Sequence, residues 1–147
     1  MSTCIVDASV AIKWVIAEPG TAEALALLGN RLLAPALLHV ECANILWKKV
    51  RRREISATEA GIAVRLLTNF GIELCSPEPE INRVLELAVS LDHPAYDCVY
   101  LALAEARGVP LITADERLIR VVRAVGQSGG VLDGISVLPL FNRPTLN

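Results

Sequence analysis

The chain has 147 residues, enough for one compact domain and too few for two. Its 53% apolar content and mean hydropathy of +0.47 are high for a soluble monomer, and a net charge of −2 argues against a generic cationic nucleic-acid binder. The longest apolar stretch, Leu32 to Trp47, is broken by Pro35, His39, Glu41 and Asn44, which makes it a poor membrane span. No basic segment precedes the first apolar run, and Asp7 interrupts that run, so no secretory leader is expected. The composition therefore predicts a cytoplasmic single domain over 1–147, with its surplus apolar surface covered in a homo-oligomer.

Ser2 to Asp7 reads as a short buried strand, followed by a helical turn or short helix over Ala8 to Ile16 and a break at Pro19-Gly20. Thr21 to Leu28 is predicted helical, with Ala22, Leu25 and Leu28 at core spacing. Leu32-Leu33-Ala34 forms a second strand, ended by Pro35. A long helix is predicted from Ala36 to Arg53, apolar first and basic last. Ser56 and Glu59 make a capping box for a helix that runs to Gly71.

Ile72 to Cys75 reads as a strand stopped by Pro77 and Pro79. Glu80 to Leu91 is predicted helical, with Ile81, Val84, Leu85, Ala88 and Leu91 on one face. Tyr96 to Arg107 is a nearly apolar helix ended by Gly108. Pro110 to Thr113 is a strand, Glu116 to Val125 a helix, Gly126, Gly129 and Gly130 a flexible loop, and Ile135 to Leu138 a last strand. The tail Asn142 to Asn147 is expected to be loose. Short apolar strands alternating with helices predict an α/β sandwich around a parallel sheet.

Four acids sit where such a chain does not ordinarily place charge. Asp7 and Asp115 each follow an apolar strand, at the carboxyl edge where parallel sheets bind ligands. Asp97 lies in the first turn of an apolar helix, and Glu41 sits among Leu38, Cys42 and Ile45. Singly, Asp7 and Asp115 are also good helix caps and Asp97 complements a helix dipole. Glu41 gains nothing from capping. Jointly, clustered carboxylates repel unless a cation intervenes, and hard oxygen ligands suit Mg²⁺ or Mn²⁺. Such a site activates water for in-line attack on a phosphodiester. Ser9, Asn44 and Thr113 are placed to orient the acids through hydrogen bonds.

Lys48, Lys49, Arg51, Arg52 and Arg53 form a dense basic block at the end of the Glu41 helix. It serves equally well as a cap on the helix dipole or as a contact for nucleic-acid phosphates. Cys4, Cys42, Cys75 and Cys98 have no zinc-like spacing with His39 or His93 and read as buried thiols. His93, beside Pro94, reads as a helix-start residue rather than a base.

Val6-Asp7-Ala8-Ser9-Val10-Ala11-Ile12-Lys13-Trp14, Pro35 with Glu41 and Asn44, Tyr96-Asp97-Cys98-Val99-Tyr100-Leu101-Ala102-Leu103-Ala104 and Leu111 to Leu118 together resemble PIN-domain ribonucleases, more narrowly the VapC-type toxins of toxin–antitoxin pairs. The resemblance covers nearly the whole chain in order. It implies a three-layer α/β/α sandwich with a mostly parallel sheet and an acidic Mg²⁺ or Mn²⁺ pocket of Asp7, Glu41, Asp97 and Asp115. It also implies endonucleolytic RNA cleavage, dimerisation and neutralisation by a VapB-like antitoxin. Physically, an acidic pocket is a receptor for an inserted Arg, and exposed apolar helices offer a groove for a partner helix. That surface is expected on the N-terminal helices, including Trp14, and on the Glu41 helix, although Trp14 and Trp47 serve equally well as core or dimer packing.

Other phosphoryl-transfer readings fit less well. A haloacid-dehalogenase-type site needs a second Asp where Ser9 stands, and a receiver domain needs a late Lys that the chain lacks after Lys49. A catalytically weak RNA-binding or regulatory module of the same fold remains the alternative.

Overall fold

The computed structural model describes residues 1–76, 78–127 and 129–141, so the expectation for the tail lies outside the described residues. Five strands form one sheet: β1 (Thr3–Val6), β2 (Arg31–Ala34), β3 (Glu73–Leu74), β4 (Leu111–Thr113) and β5 (Val137–Pro139). Their order is β3-β2-β1-β4-β5, and every pairing is parallel, with Cys4 opposite Leu32 and Val6 opposite Ile112. Among the described residues, seven α-helices connect and flank them: α1 (Ala8–Ala11), α2 (Thr21–Leu25), α3 (Leu37–Arg51), α4 (Ala57–Leu67), α5 (Ile81–Leu91), α6 (Ala95–Arg107) and α7 (Glu116–Gly126). A 3₁₀ turn, Ile12–Trp14, continues α1, and a second, Gly130–Leu132, stands where a glycine loop was expected.

The strand order fixes the layers. From β1 the chain moves outward to β2 and β3, then returns past β2 and β1 to β4 and β5. Right-handed crossovers put the outward connections on one face and the return connections on the other. Helix contacts agree: α1 packs with α3 and α3 with α4, whereas α5 packs with α6 and α7. The direction reverses between β1 and β4, and that junction opens a crevice at the carboxyl ends of the two strands. Asp7 and Asp115 follow those strands.

Local chemistry explains the elements. Cys4, Ile5 and Val6 are fully buried, as a central parallel strand covered on both faces requires. Both halves of the Ser56/Glu59 capping box form, at 3.1 and 2.8 Å. Gly108 ends α6 at φ +63, a conformation that costs an L-residue about 1 kcal/mol or more.

Two helix faces differ from expectation. In α2 and the turns after it, Ala24 and Leu27 are buried, while Leu25 is exposed. The helix ends at Leu25, so the periodicity read through Leu28 does not persist. In α5 the core takes Val84, Leu87 and Leu91, leaving Ile81 and Leu85 outside. The helix is apolar on more than one face, and the inner stripe alone packs against α6. Ile81 joins Val40 and Tyr96 in lining a groove of about 560 Å³ between α3, α5 and α6, and Leu85 and Val89 are exposed further along α5. Among the described residues no helix is long and apolar enough to cross a membrane.

Candidate active site

Asp7 lies one residue past β1, in extended backbone, and caps α1 by accepting from the Val10 amide at 3.3 Å. The Ser9 hydroxyl donates to its Oδ1 at 2.5 Å, and the Thr113 hydroxyl donates to Oδ2. Both hydroxyls also accept from the chain after β4, Ser9 from the Ala114 amide at 2.9 Å and Thr113 from the Asp115 amide at 3.0 Å. Ser9 and Thr113 thus stitch the two strand ends together and fix the Asp7 carboxylate between them. Despite three donors, burial dominates: it raises the Asp7 pKa from 3.8 to about 7, with Asp97 adding to the rise and Ser9, Thr113 and Val10 opposing it.

Glu41 and Asp97 face the same region from α3 and α6. Burial raises the Glu41 pKa, Tyr100 opposes that rise, and the negative charge of Asp97 adds to it. The Tyr100 hydroxyl is pushed far above its ordinary range, by burial first and then by Glu41 and Asp7. Although these groups couple, neither Glu41 Oε1 nor the Tyr100 hydroxyl completes a hydrogen bond of ordinary geometry; both are buried without a partner. An orphaned buried carboxylate oxygen is unfavourable and calls for a donor or a cation.

His93 meets Asp97, a contact that sequence reasoning missed. Its Nε2 lies 2.6 Å from Asp97 Oδ2, and its ring is almost entirely buried. The backbone holds it there: the His93 amide donates to the Ala88 carbonyl at the end of α5, and Pro94 opens α6. The i, i+4 spacing of His93 and Asp97 was visible in the chain. Its meaning was hidden because His93 precedes the helix. Tyr100 was similarly legible, three residues beyond Asp97 and so on the same side of α6.

Asp115 reaches the site by a different route. Its Oδ1 caps α7, accepting from Arg117 at 2.9 Å and Leu118 at 3.2 Å. Its amide joins the Asp7 network through Thr113. The Asp97 charge therefore reaches both Asp7 and Glu41, and Asp115 borders Asp7 through Thr113. No group of three or more His, Cys, Asp and Glu among the described residues is drawn in tightly enough to hold a metal ion. The donor set nevertheless suits a hard cation: oxygen ligands, mutual repulsion and one orphaned buried oxygen. Asn44 is exposed, and no hydrogen bond joins it to Glu41. The neighbouring thiols, Cys42 and Cys98, are buried with pKa values pushed up to about 12 and about 11, which keeps them protonated and unreactive.

The basic block divides. Lys48, Lys49 and Arg52 line a cleft of about 330 Å³ that also touches Ser9 and Ala114, at the edge of the acid site. Arg51 instead lies over the Trp47 ring, 5.4 Å from its centroid, and Arg53 sits in a left-handed turn at φ 59. Trp14 is in the core, its indole stacked on Phe70 at 5.6 Å and donating to the Ala24 carbonyl at 2.8 Å. It is therefore unavailable as a partner-contact residue, contrary to the expectation drawn from sequence. A ring of that size beside three apolar elements gains more from burial than from exposure.

Comparison with known proteins fits this geometry. The family model described as PIN domain matches residues 4–124. The chain belongs to the PIN-domain family. Within it, the chain is 35% identical over 115 residues to Ribonuclease VapC12 of Mycobacterium tuberculosis, covering 78% of this chain and 88% of that protein. Ribonuclease VapC1 of the same organism is 33% identical over 122 residues, covering 80% and 90%. This PIN domain is thus of the VapC type. Its fold also matches the crystal structure of PAE2754 from Pyrobaculum aerophilum, with a TM-score of 0.66 at 23% identity, over 86% of this chain and 96% of that one.

Proposed function

We propose that the chain is a metal-dependent endoribonuclease and the toxin of a toxin–antitoxin pair. The observation that carries this reading is the position of Asp7, fixed by Ser9 and Thr113 at the β1/β4 junction and electrostatically coupled to Asp97. The ribonuclease names of relatives at 33% and 35% identity support it. Asp7, Glu41, Asp97 and Asp115 would hold Mg²⁺ or Mn²⁺. The chemistry such an ion supplies when bound is a lowered pKa for the attacking water and charge stabilisation at the phosphodiester.

The chain's own residues do the rest. Ser9 and Thr113 keep both Asp7 oxygens from rotating away, and His93 holds Asp97 in one orientation. Tyr100 faces Glu41 from the core side and excludes water there. Lys48, Lys49 and Arg52 offer charge to the RNA backbone beside the acids, in a protein otherwise slightly acidic. The apolar face of Val40, Ile81, Leu85 and Tyr96 is the surface for a second copy in a homodimer. The acidic pocket is the receptor for an Arg of a VapB-like antitoxin, with an apolar partner helix resting on exposed Trp47, Ile62 and Leu66 of α3 and α4. A cytoplasmic setting suits the four free thiols.

The test is cleavage of an RNA with both ends blocked, by the purified chain with Mn²⁺, with chelator, and as Asp7→Asn. Internal cuts that need both Mn²⁺ and Asp7 support the proposal. Equal cleavage by both proteins under chelation points to a contaminant, and no cleavage under any condition favours a binding module.

A further inference from the structure

We infer that the cleft beside the acid site is a phosphate subsite for single-stranded RNA, contacted by Lys13 and Lys49. The inference rests on the ribonuclease reading and adds a residue, Lys13, that lies far in sequence from the basic block. Lys13 belongs to the 3₁₀ turn that follows α1, and Lys49 to the last turns of α3. Glu18 bridges them, its Oε1 2.8 Å from Lys13 Nζ and its Oε2 3.1 Å from Lys49 Nζ, and Glu54 adds a 3.4 Å contact to Lys49.

The two lysine side chains are only 11% and 18% exposed, unusually low for ammonium-bearing chains, and the carboxylates hold them in fixed positions. An ammonium has three donors. Glu18 takes one from Lys13, and Glu18 with Glu54 takes two from Lys49, which leaves donors on both for an incoming anion. Fixing long side chains before binding reduces the entropy lost on binding.

Charge and position point to the same ligand. The cleft is lined by Lys13, Lys48, Lys49 and Arg52 against Glu18, four cations and one anion, or +3, and +2 when Glu54 beside Lys49 is counted, in a chain of net charge −2. Its wall includes Ser9, whose hydroxyl donates to Asp7, and Ala114, beside Asp115. A strand whose scissile phosphate lies over Asp7 therefore runs a neighbouring phosphate into this cleft. Arg51 and Arg53 do not line it, so the fold selects among the basic residues rather than using the whole run.

The experiment measures binding of a fluorescein-labelled single-stranded RNA by anisotropy, in an Asp7→Asn background that prevents turnover, across a salt series. Each lost phosphate contact lowers the log–log salt slope by about 0.7, so between about 50 and 200 mM salt the fall in affinity shrinks by about 2.6-fold. Lys13→Met and Lys49→Met each show that change, and together about 7-fold; Lys13→Arg restores the parent slope, and Arg53→Gln leaves it unchanged. Should Lys13→Met fail to fold, Lys49→Met and Lys13→Gln read the same slope. An unchanged slope in the lysine variants, with RNA still bound, overturns the subsite alone. A Lys13→Arg slope as low as that of Lys13→Met overturns the charge argument in favour of packing. A parent that binds no RNA overturns the ribonuclease reading and the subsite together.

Discussion

Replacing Asp7 by Asn should make the metal-free protein more stable at neutral pH while removing its response to metal. Burial raises the Asp7 pKa from 3.8 to about 7. At about 1.36 kcal/mol per unit, the folded state pays up to about 4 kcal/mol for ionising this group once the pH exceeds both values. The sign follows from proton uptake. Between the two pKa values the native chain holds a proton that the unfolded chain has released, so stability falls as pH rises through this window and levels off above it. Asparagine has no such window, and the Ser9 and Thr113 hydroxyls can turn to accept from its amide. Relaxation around the charge reduces the effect, so about 2–4 kcal/mol is expected.

The assay is urea unfolding of both proteins in chelator, near pH 4.5 and near pH 7.5, where the other carboxylates contribute equally and cancel in the difference. The stability gap should move in favour of Asp7→Asn by that amount at the higher pH. Identical pH dependence in both proteins would refute the assignment of Asp7 as a buried, destabilising carboxylate. Added Mg²⁺ should then stabilise the wild type and leave Asp7→Asn unchanged.

Other consequences follow from particular contacts. His93→Gln should reduce kcat with little change in RNA affinity, because it loosens the orientation of Asp97 without touching the basic cleft; a change in affinity alone would contradict that role. Leu87→Ala should cost about 2–5 kcal/mol in urea unfolding and Leu85→Ala about 0.5 kcal/mol or less, since only Leu87 lies in the core. Ser56→Ala removes the cap of α4 and should cost about 1 kcal/mol by the same measurement. If the proposed homodimer uses the apolar face, Val40→Glu should shift sedimentation from dimer towards monomer; a variant that stays dimeric would place the contact elsewhere, and a monomeric wild type would refute the dimer.

Much of the fold was legible because its signals are local. Ser56 and Glu59 announced a helix start, Gly108 a helix end, and the run Cys4-Ile5-Val6 a buried strand. The acids at Asp7 and Asp115 could be placed at one edge because parallel strands point their carboxyl ends the same way. What escaped notice depends on packing. Ile81 and Leu85 have the same apolar chemistry as Leu87, and only the approach of α6 decides which is covered. His93 and Lys13 look ordinary in sequence; only the fold brings Asp97 and Glu18 against them. Asn44 had suitable spacing and chemistry, yet it lies exposed.

Under the proposed function, carboxylates far apart in the chain serve one divalent ion. Mn²⁺ binding measured by calorimetry on the wild type and on Asp7→Asn, Glu41→Gln, Asp97→Asn and Asp115→Asn tests it most directly. Mn²⁺ should bind the wild type, and that binding should be weakened or lost in every one of these variants. Wild-type Mn²⁺ affinity retained in all four would contradict it.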